Sequence, residues 1–238
     1  MAEQLIVKNL DFIKVLPYWA QELSYKYCSK TTNLYILYGN IRDFLPNKMK
    51  EGDFVFVRIQ EFVSEVLFGN QDIIAFYDRS SGINFCTPQM QKDYLQTMQK
   101  LYPEDPLEGF ISSDPTKAFP YLEKYFLLNI PKTLRIVLII DYAETIIPNT
   151  DIPRLSEEDR YCLVTLNRWS NDPIFTHGDV SVILLTENLA DISQRLVRSP
   201  STVKVNIPFQ TKACGINSSI FYSGRGNLCW NTGCPPLG

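Results

Sequence analysis

Apolar residues along this chain fall into two kinds of run. Short continuous ones lie in Asn33–Asn40, Asp72–Asp78, Arg135–Asp141, Asp179–Thr186 and Thr202–Ile207. Each is only a few residues long, rich in β-branched or aromatic side chains, and bounded by turn formers. These features predict strands, and the unbroken Ile136–Ile140 run predicts one covered on both faces. Between them, apolar residues recur at helical spacing. Helices are predicted over 3–29, with Pro17 breaking or kinking the run, and over 53–68, 87–101, 115–128, 156–170 and 189–197. Pro88 suits a first helical turn. Ser156, with Glu158 and Asp159 behind it, marks an N-terminus but lacks the Glu or Gln of a full capping box. Helix and strand alternate throughout, which predicts an α/β fold: a mostly parallel five-stranded sheet between two helical layers.

Composition narrows the function. The net charge of −3 gives no basic excess for a nucleic-acid surface. Apolar and charged fractions of 45% and 21% are those of an ordinary globular domain. The Leu5–Leu16 stretch is interrupted by Lys8, Asn9, Asp11 and Lys14, so it has no signal-peptide core. The longest apolar run is far short of the roughly 20 residues a membrane span needs. A cytoplasmic setting with reduced thiols is expected.

Three segments follow: an N-terminal helical segment (1–29), an α/β core (30–209) and an irregular tail (210–238). The tail holds five of the eleven glycines and three of the six cysteines, and no acidic residue. It reads either as an irregular end or as a stretch where the natural reading frame is lost. Cys214, Cys229 and Cys234 lack zinc spacing, with no CxxC pair and no nearby His. Cys28, Cys86 and Cys162 read as small buried apolar residues. His177, the single histidine, reads as a loop residue, which leaves no Ser-His-Asp or Cys-His arrangement.

Three elements carry chemistry. Val137-Leu138-Ile139-Ile140-Asp141 is an apolar strand ending in a carboxylate, with Glu144 three residues on. Val182-Ile183-Leu184-Leu185-Thr186-Glu187-Asn188 ends in a polar tip. The segment from Leu189 to Phe209 contains Arg195 and Arg198, then an edge strand closing in Ile-Pro-Phe. A carboxylate at the end of a parallel strand sits where ligands bind in open α/β sheets, and a hard cation there takes oxygen ligands. In this order the elements resemble those of AAA+ ATPases, over roughly residues 30–209. The resemblance implies a P-loop NTPase-like three-layer fold, in which the Asp141 strand lies beside the Asn188 strand, itself the neighbour of the strand ending at Tyr38. It also implies roles: Asp141 as the Mg²⁺ ligand, Glu144 polarising water, Asn188 orienting it, and Arg195 and Arg198 as arginine fingers reaching a neighbouring subunit. Each residue also has a plainer reading. Asp141 and Asn188 suit caps, Glu144 a solvated loop, and the arginines a solvated surface.

The departures are as informative. No G-x-x-x-x-G-K-[ST] motif exists to wrap a phosphate. Its expected place reads Gly39-Asn40-Ile41-Arg42-Asp43-Phe44-Leu45. Gly39, Asn40 and Arg42 are the candidate nucleotide contacts there, and Asp43 repels phosphate. Lys30-Thr31-Thr32 precedes the strand and reads as a helix end. The chain resembles the first module of two-module bacterial and phage AAA+ proteins, whose strand ends in Tyr-Gly-Asn without a P-loop. The resemblance therefore implies a module with a degenerate nucleotide site. Such a module binds ATP and Mg²⁺ weakly or not at all, and works through protein partners or self-assembly into a ring. Two alternatives stand: an active ATPase with a divergent phosphate loop, and a non-ATPase α/β interaction domain.

Overall fold

The computed structural model describes residues 16–48 and 54–209. In chain order the strands are β1 (Leu34–Gly39), β2 (Leu45–Lys48), β3 (Phe54–Val57), β4 (Ile73–Asp78), β5 (Gly82–Phe85), β6 (Ile136–Ile140), β7 (Val180–Thr186) and β8 (Thr202–Ile207). The main sheet runs β5-β4-β6-β7-β1-β8. Every pairing in it is parallel except that of β5 with β4. The sheet is therefore six-stranded rather than five-stranded. The added strand, β5, is four residues long and turns back from the Asp78–Ser81 loop, where Asp78 Oδ1 accepts the amides of Ser80 and Ser81. β6 lies next to β7, and β7 next to β1, the neighbour relations that the motif order implies.

Strand alternation builds the three layers. Leu34 and Ile36 of β1 join one apolar cluster with Ile136, Leu138 and Ile140 of β6. Tyr35 and Leu37 join the other with Val137 and Ile139. Successive side chains point to opposite faces, so an unbroken apolar run is what a strand sandwiched between helices requires. The helices are α1 (Tyr18–Cys28), α2 (Ile59–Glu61), α3 (Pro88–Leu101), α4 (Leu107–Phe110), α5 (Pro115–Asn129), α6 (Glu157–Asn171), α7 (Pro173–His177) and α8 (Gln194–Val197). Trp19 and Leu23 of α1 bury against one face; Tyr94, Phe119, Trp169 and Phe175 of α3, α5, α6 and α7 fill the other. Trp169 is the centre of that second layer, stacked on Phe175 and tilted against Phe119.

Several expectations need correction. Residues 53–68 are not one helix: β3 occupies 54–57, and α2 runs into a wide π-type turn over Phe62–Leu67, where Phe68 N–H reaches Val63 O. β2 and β3 pair as a separate antiparallel ribbon. Only one turn, α8, forms within 189–197. Asp159 completes a capping box that Ser156 was not expected to have: Ser156 Oγ accepts the Asp159 amide, and the Asp159 carboxylate accepts the Ser156 amide. A carboxylate one methylene shorter than Glu suffices. Cys162 is buried, but Cys28 and Cys86 are exposed, the first in the last turn of α1 and the second just past β5. His177 ends α7 rather than sitting in a loop. The helix expected over 3–29 is seen from Tyr18, directly behind Pro17; its earlier part, and the tail from 210, lie outside the described residues. Among the described residues, no helix is long and apolar enough to cross a membrane.

Candidate functional site

The C-terminal ends of β1, β6, β7 and β8 meet at one edge of the sheet, the edge where open α/β sheets bind ligands. β1 ends at Gly39 with φ +99°, a conformation that side chains resist. A Cβ there would lie 2.6 Å from Ile207 O, so β8 also demands glycine by contact. The chain then turns. Gly39 N–H donates to Glu187 O at 3.1 Å, Asn40 N–H to Ile207 O at 2.8 Å, and Ile41 N–H to Gly39 O at 2.8 Å. Asn40 Nδ2 donates to the Asp43 carboxylate. Three successive amides at the phosphate-loop position are thus already bonded to the protein. No helix begins here either: the chain enters the β2–β3 ribbon.

Arg42 leaves this turn and lies across the edge to Asp141. Its Nη1 is 3.0 and 2.9 Å from the two carboxylate oxygens. Gln60 Nε2, from α2, donates to Asp141 Oδ2 at 2.6 Å, and the Tyr142 amide to Oδ1 at 2.8 Å. Each oxygen of the buried carboxylate therefore accepts two bonds, which fills its roughly four acceptor positions. Arg42 Nε reaches Glu187 at 3.1 Å, at the exposed tip of β7. The guanidinium carbon sits 4.0 Å above the Tyr142 ring centre, a cation–π arrangement. Tyr142 holds φ 50° and ψ 48°, a left-handed conformation that costs a non-glycine residue on the order of 1 kcal/mol. The turn swings its ring beneath Arg42. Burial works against the Arg42 charge, but the hydrogen bonds and charge of Asp141, with help from Glu187 and Tyr142, outweigh it and raise its pKa.

The other expected residues lie apart from this network. Glu144 follows in a 3₁₀ turn, and its buried Oε2 makes no hydrogen bond among the described residues. Asn188 Oδ1 accepts the Ala190 amide at 3.0 Å and closes a turn after β7. Arg195 and Arg198 are exposed on and just after α8, and make no ion pair among the described residues. Lys30 ends the turn after α1 and pairs with Asp179 at the opposite edge of the sheet. No group of three or more metal-ligating side chains gathers among the described residues. No sequence motif marks Gln60, and Glu187 lies within the Val182–Asn188 motif without a role assigned to it; both enter because the fold brings α2 and the β7 tip beside Asp141 and Arg42.

A mostly parallel sheet with helices on both faces and its charged cluster at the strand ends defines a Rossmann-like α/β domain. A family model described as the AAA+ chaperone N-terminal Rossmann-like domain matches residues 9–208, and the chain belongs to that family. Among solved structures, a chain from the E. coli MS115-1 HORMA:CdnC:Trip13 complex is similar at a TM-score of 0.41 and 15% identity. That match covers 87% of this chain and 63% of the other. No curated protein sequence matches.

Proposed function

We propose that this chain is an AAA+ module whose nucleotide site is closed by its own arginine, and that it acts by assembly or by docking a partner protein. The observation that carries the reading is the Arg42–Asp141 pair. Mg²⁺, held with a nucleotide, would need oxygen ligands free at the Asp141 position; here a guanidinium fills them. A triphosphate would need free amides and a cation after β1. Instead the amides of Gly39, Asn40 and Ile41 are committed, and Arg42, the one cation of the turn, is neutralised by two carboxylates. The residues present do not fit ATP and Mg²⁺. Glu144, Asn188, Arg195 and Arg198 hold their motif positions without converging on Asp141 through any hydrogen bond. An active ATPase with a divergent loop would need Arg42 to leave Asp141 and the turn to reopen.

Steady-state ATP hydrolysis, measured for the chain and for Asp141→Asn, tests this. Neither is expected to turn over ATP. Turnover in the native chain that Asp141→Asn abolishes would overturn the reading.

A further inference from the structure

The β2–β3 ribbon stands outside the main sheet and is held to the body at its root. Val55 and Phe56 are successive residues of β3 and point to opposite faces, yet they are 44% and 51% exposed. Neither face is packed away at that level. At the root, the paired Leu45 and Val57 are buried in one apolar cluster with Leu16, Ile41, Ile59 and Phe62. An isolated two-stranded ribbon is marginal in water, so the order of this one depends on its anchorage. The same root carries two of the bonds to Asp141. Arg42 lies three residues before β2 and Gln60 three residues after β3. Each follows a buried isoleucine of the root cluster, Ile41 and Ile59. Both side chains end on one oxygen, Arg42 Nη1 at 2.9 Å and Gln60 Nε2 at 2.6 Å from Asp141 Oδ2. Asp141 itself follows β6, which lies inside the main sheet between β4 and β7.

We infer that the ribbon is a lever on the Asp141 site. Its root and the bonds to Asp141 form one cooperative unit: seated, the root holds Arg42 and Gln60 on the carboxylate; unseated, it withdraws both together. The unit has a hinge on each side. Upstream, Gly39 and Asn40 are pinned to the main sheet through Glu187 O and Ile207 O, and Gly39 has the φ of +99° that suits a pivot. Downstream, the chain enters the π-type turn over Phe62–Leu67, a local irregularity in the helical hydrogen-bond ladder. Between these hinges the apolar anchors and the polar contacts on Asp141 come from the same two stretches of backbone. A displacement of the ribbon root therefore uncovers the carboxylate, and loss of the carboxylate's charge frees the root. Such coupling is reciprocal by linkage. The lever rests on the Arg42–Asp141 contact that carries the proposed function. Neither measurement below contains ATP, so their failure leaves the nucleotide reading to its own test.

Hydrogen exchange read by mass spectrometry follows the coupling from the Asp141 side. Asp141→Asn removes the charge that holds Arg42. It is expected to speed exchange about tenfold in β2 and β3 while leaving β1, β6 and β7 within about twofold of the native chain. Arg79→Ala breaks the Arg79–Glu158 pair, which holds no part of the ribbon root, and is expected to leave the ribbon unchanged. Labelling of carboxylates with a water-soluble carbodiimide and glycine ethyl ester follows the coupling from the ribbon side. The Asp141 side chain is 8% exposed and is expected to label slowly in the native chain. In Leu45→Ala it is expected to label about fivefold faster, measured against the exposed Asp72 as internal reference. Circular dichroism melts show which variants fold, and Val57→Ala, a smaller deletion at the same root, takes the place of Leu45→Ala if that variant does not. Ribbon exchange indifferent to Asp141→Asn, or equally fast in Arg79→Ala, would overturn the proposal. So would Asp141 labelling that keeps its native rate when the root is loosened.

Discussion

Asp141 is a buried carboxylate whose charge is met by one guanidinium, so the two residues are energetically a unit. Removing Arg42 leaves the carboxylate without its cation. Breaking a buried pair from one side costs about 3–5 kcal/mol, and the partial exposure of Arg42 reduces this, so Arg42→Ala is expected to cost about 2 kcal/mol. Adding Asp141→Asn removes the orphaned charge while keeping an amide that Gln60 and the Tyr142 amide can still bond. The double variant should therefore be more stable than Arg42→Ala alone, by about 1 kcal/mol. Urea melts of the four proteins measure the cycle; simple additivity would show that the two side chains are not coupled. Gly39 makes a second prediction at this scale. With φ +99° and Ile207 O where a Cβ would go, Gly39→Ala combines backbone strain with a clash against backbone. A loss of about 3 kcal/mol is expected by the same melts, well beyond an ordinary surface change.

At the level of elements, the predictable parts are those whose local signal and tertiary environment agree. β1, β4, β6 and β7 are continuous apolar runs because helices cover both their faces. Pro88 and Ser156 mark helix starts because a first turn has orphan amides to satisfy. Ser156→Ala removes an acceptor used by Asp159 N–H at 3.0 Å, and is expected to cost about 1 kcal/mol, with faster amide exchange confined to the first turn of α6. A cost indistinguishable from zero would mean that the cap is not formed. The missed elements are those with weak or conflicting local signals. In β3, Val55 fits a helical spacing as well as a strand, and only pairing with β2 decides between them. β5 is four residues held by β4, too short to declare itself. Leu189–Val197 has helical spacing, but the Asn188 turn and the bridge between Pro148 and Ile192 hold its first half extended or turned. Motif positions single out Arg42 and Asp141 separately. Their pairing is not readable, because 99 residues separate them and a side chain's reach depends on the fold. The same is true of Gln60, which lies 81 residues from Asp141 and has no motif to mark it.

For the molecule as a whole, the fold and the chemistry point in different directions. The sheet order and the family place this chain among AAA+ chaperone N-terminal domains. At the strand ends, where such a sheet would meet a ligand, the chain has instead bonded to itself: amides to carbonyls, Arg42 to Asp141 and Glu187. A site closed in this way ties β1, β6 and β7 together at their tips and holds the base of the β2–β3 ribbon in place. In the function proposed for this chain, Arg42 stands where a nucleotide and its metal would otherwise be held. Isothermal titration of the chain with ATP and Mg²⁺, beside Asp141→Ala, tests it most directly. No heat beyond dilution at millimolar ATP is the result expected of both proteins. Micromolar binding by the native chain that disappears in Asp141→Ala would contradict it, because the carboxylate would then be serving a ligand rather than Arg42.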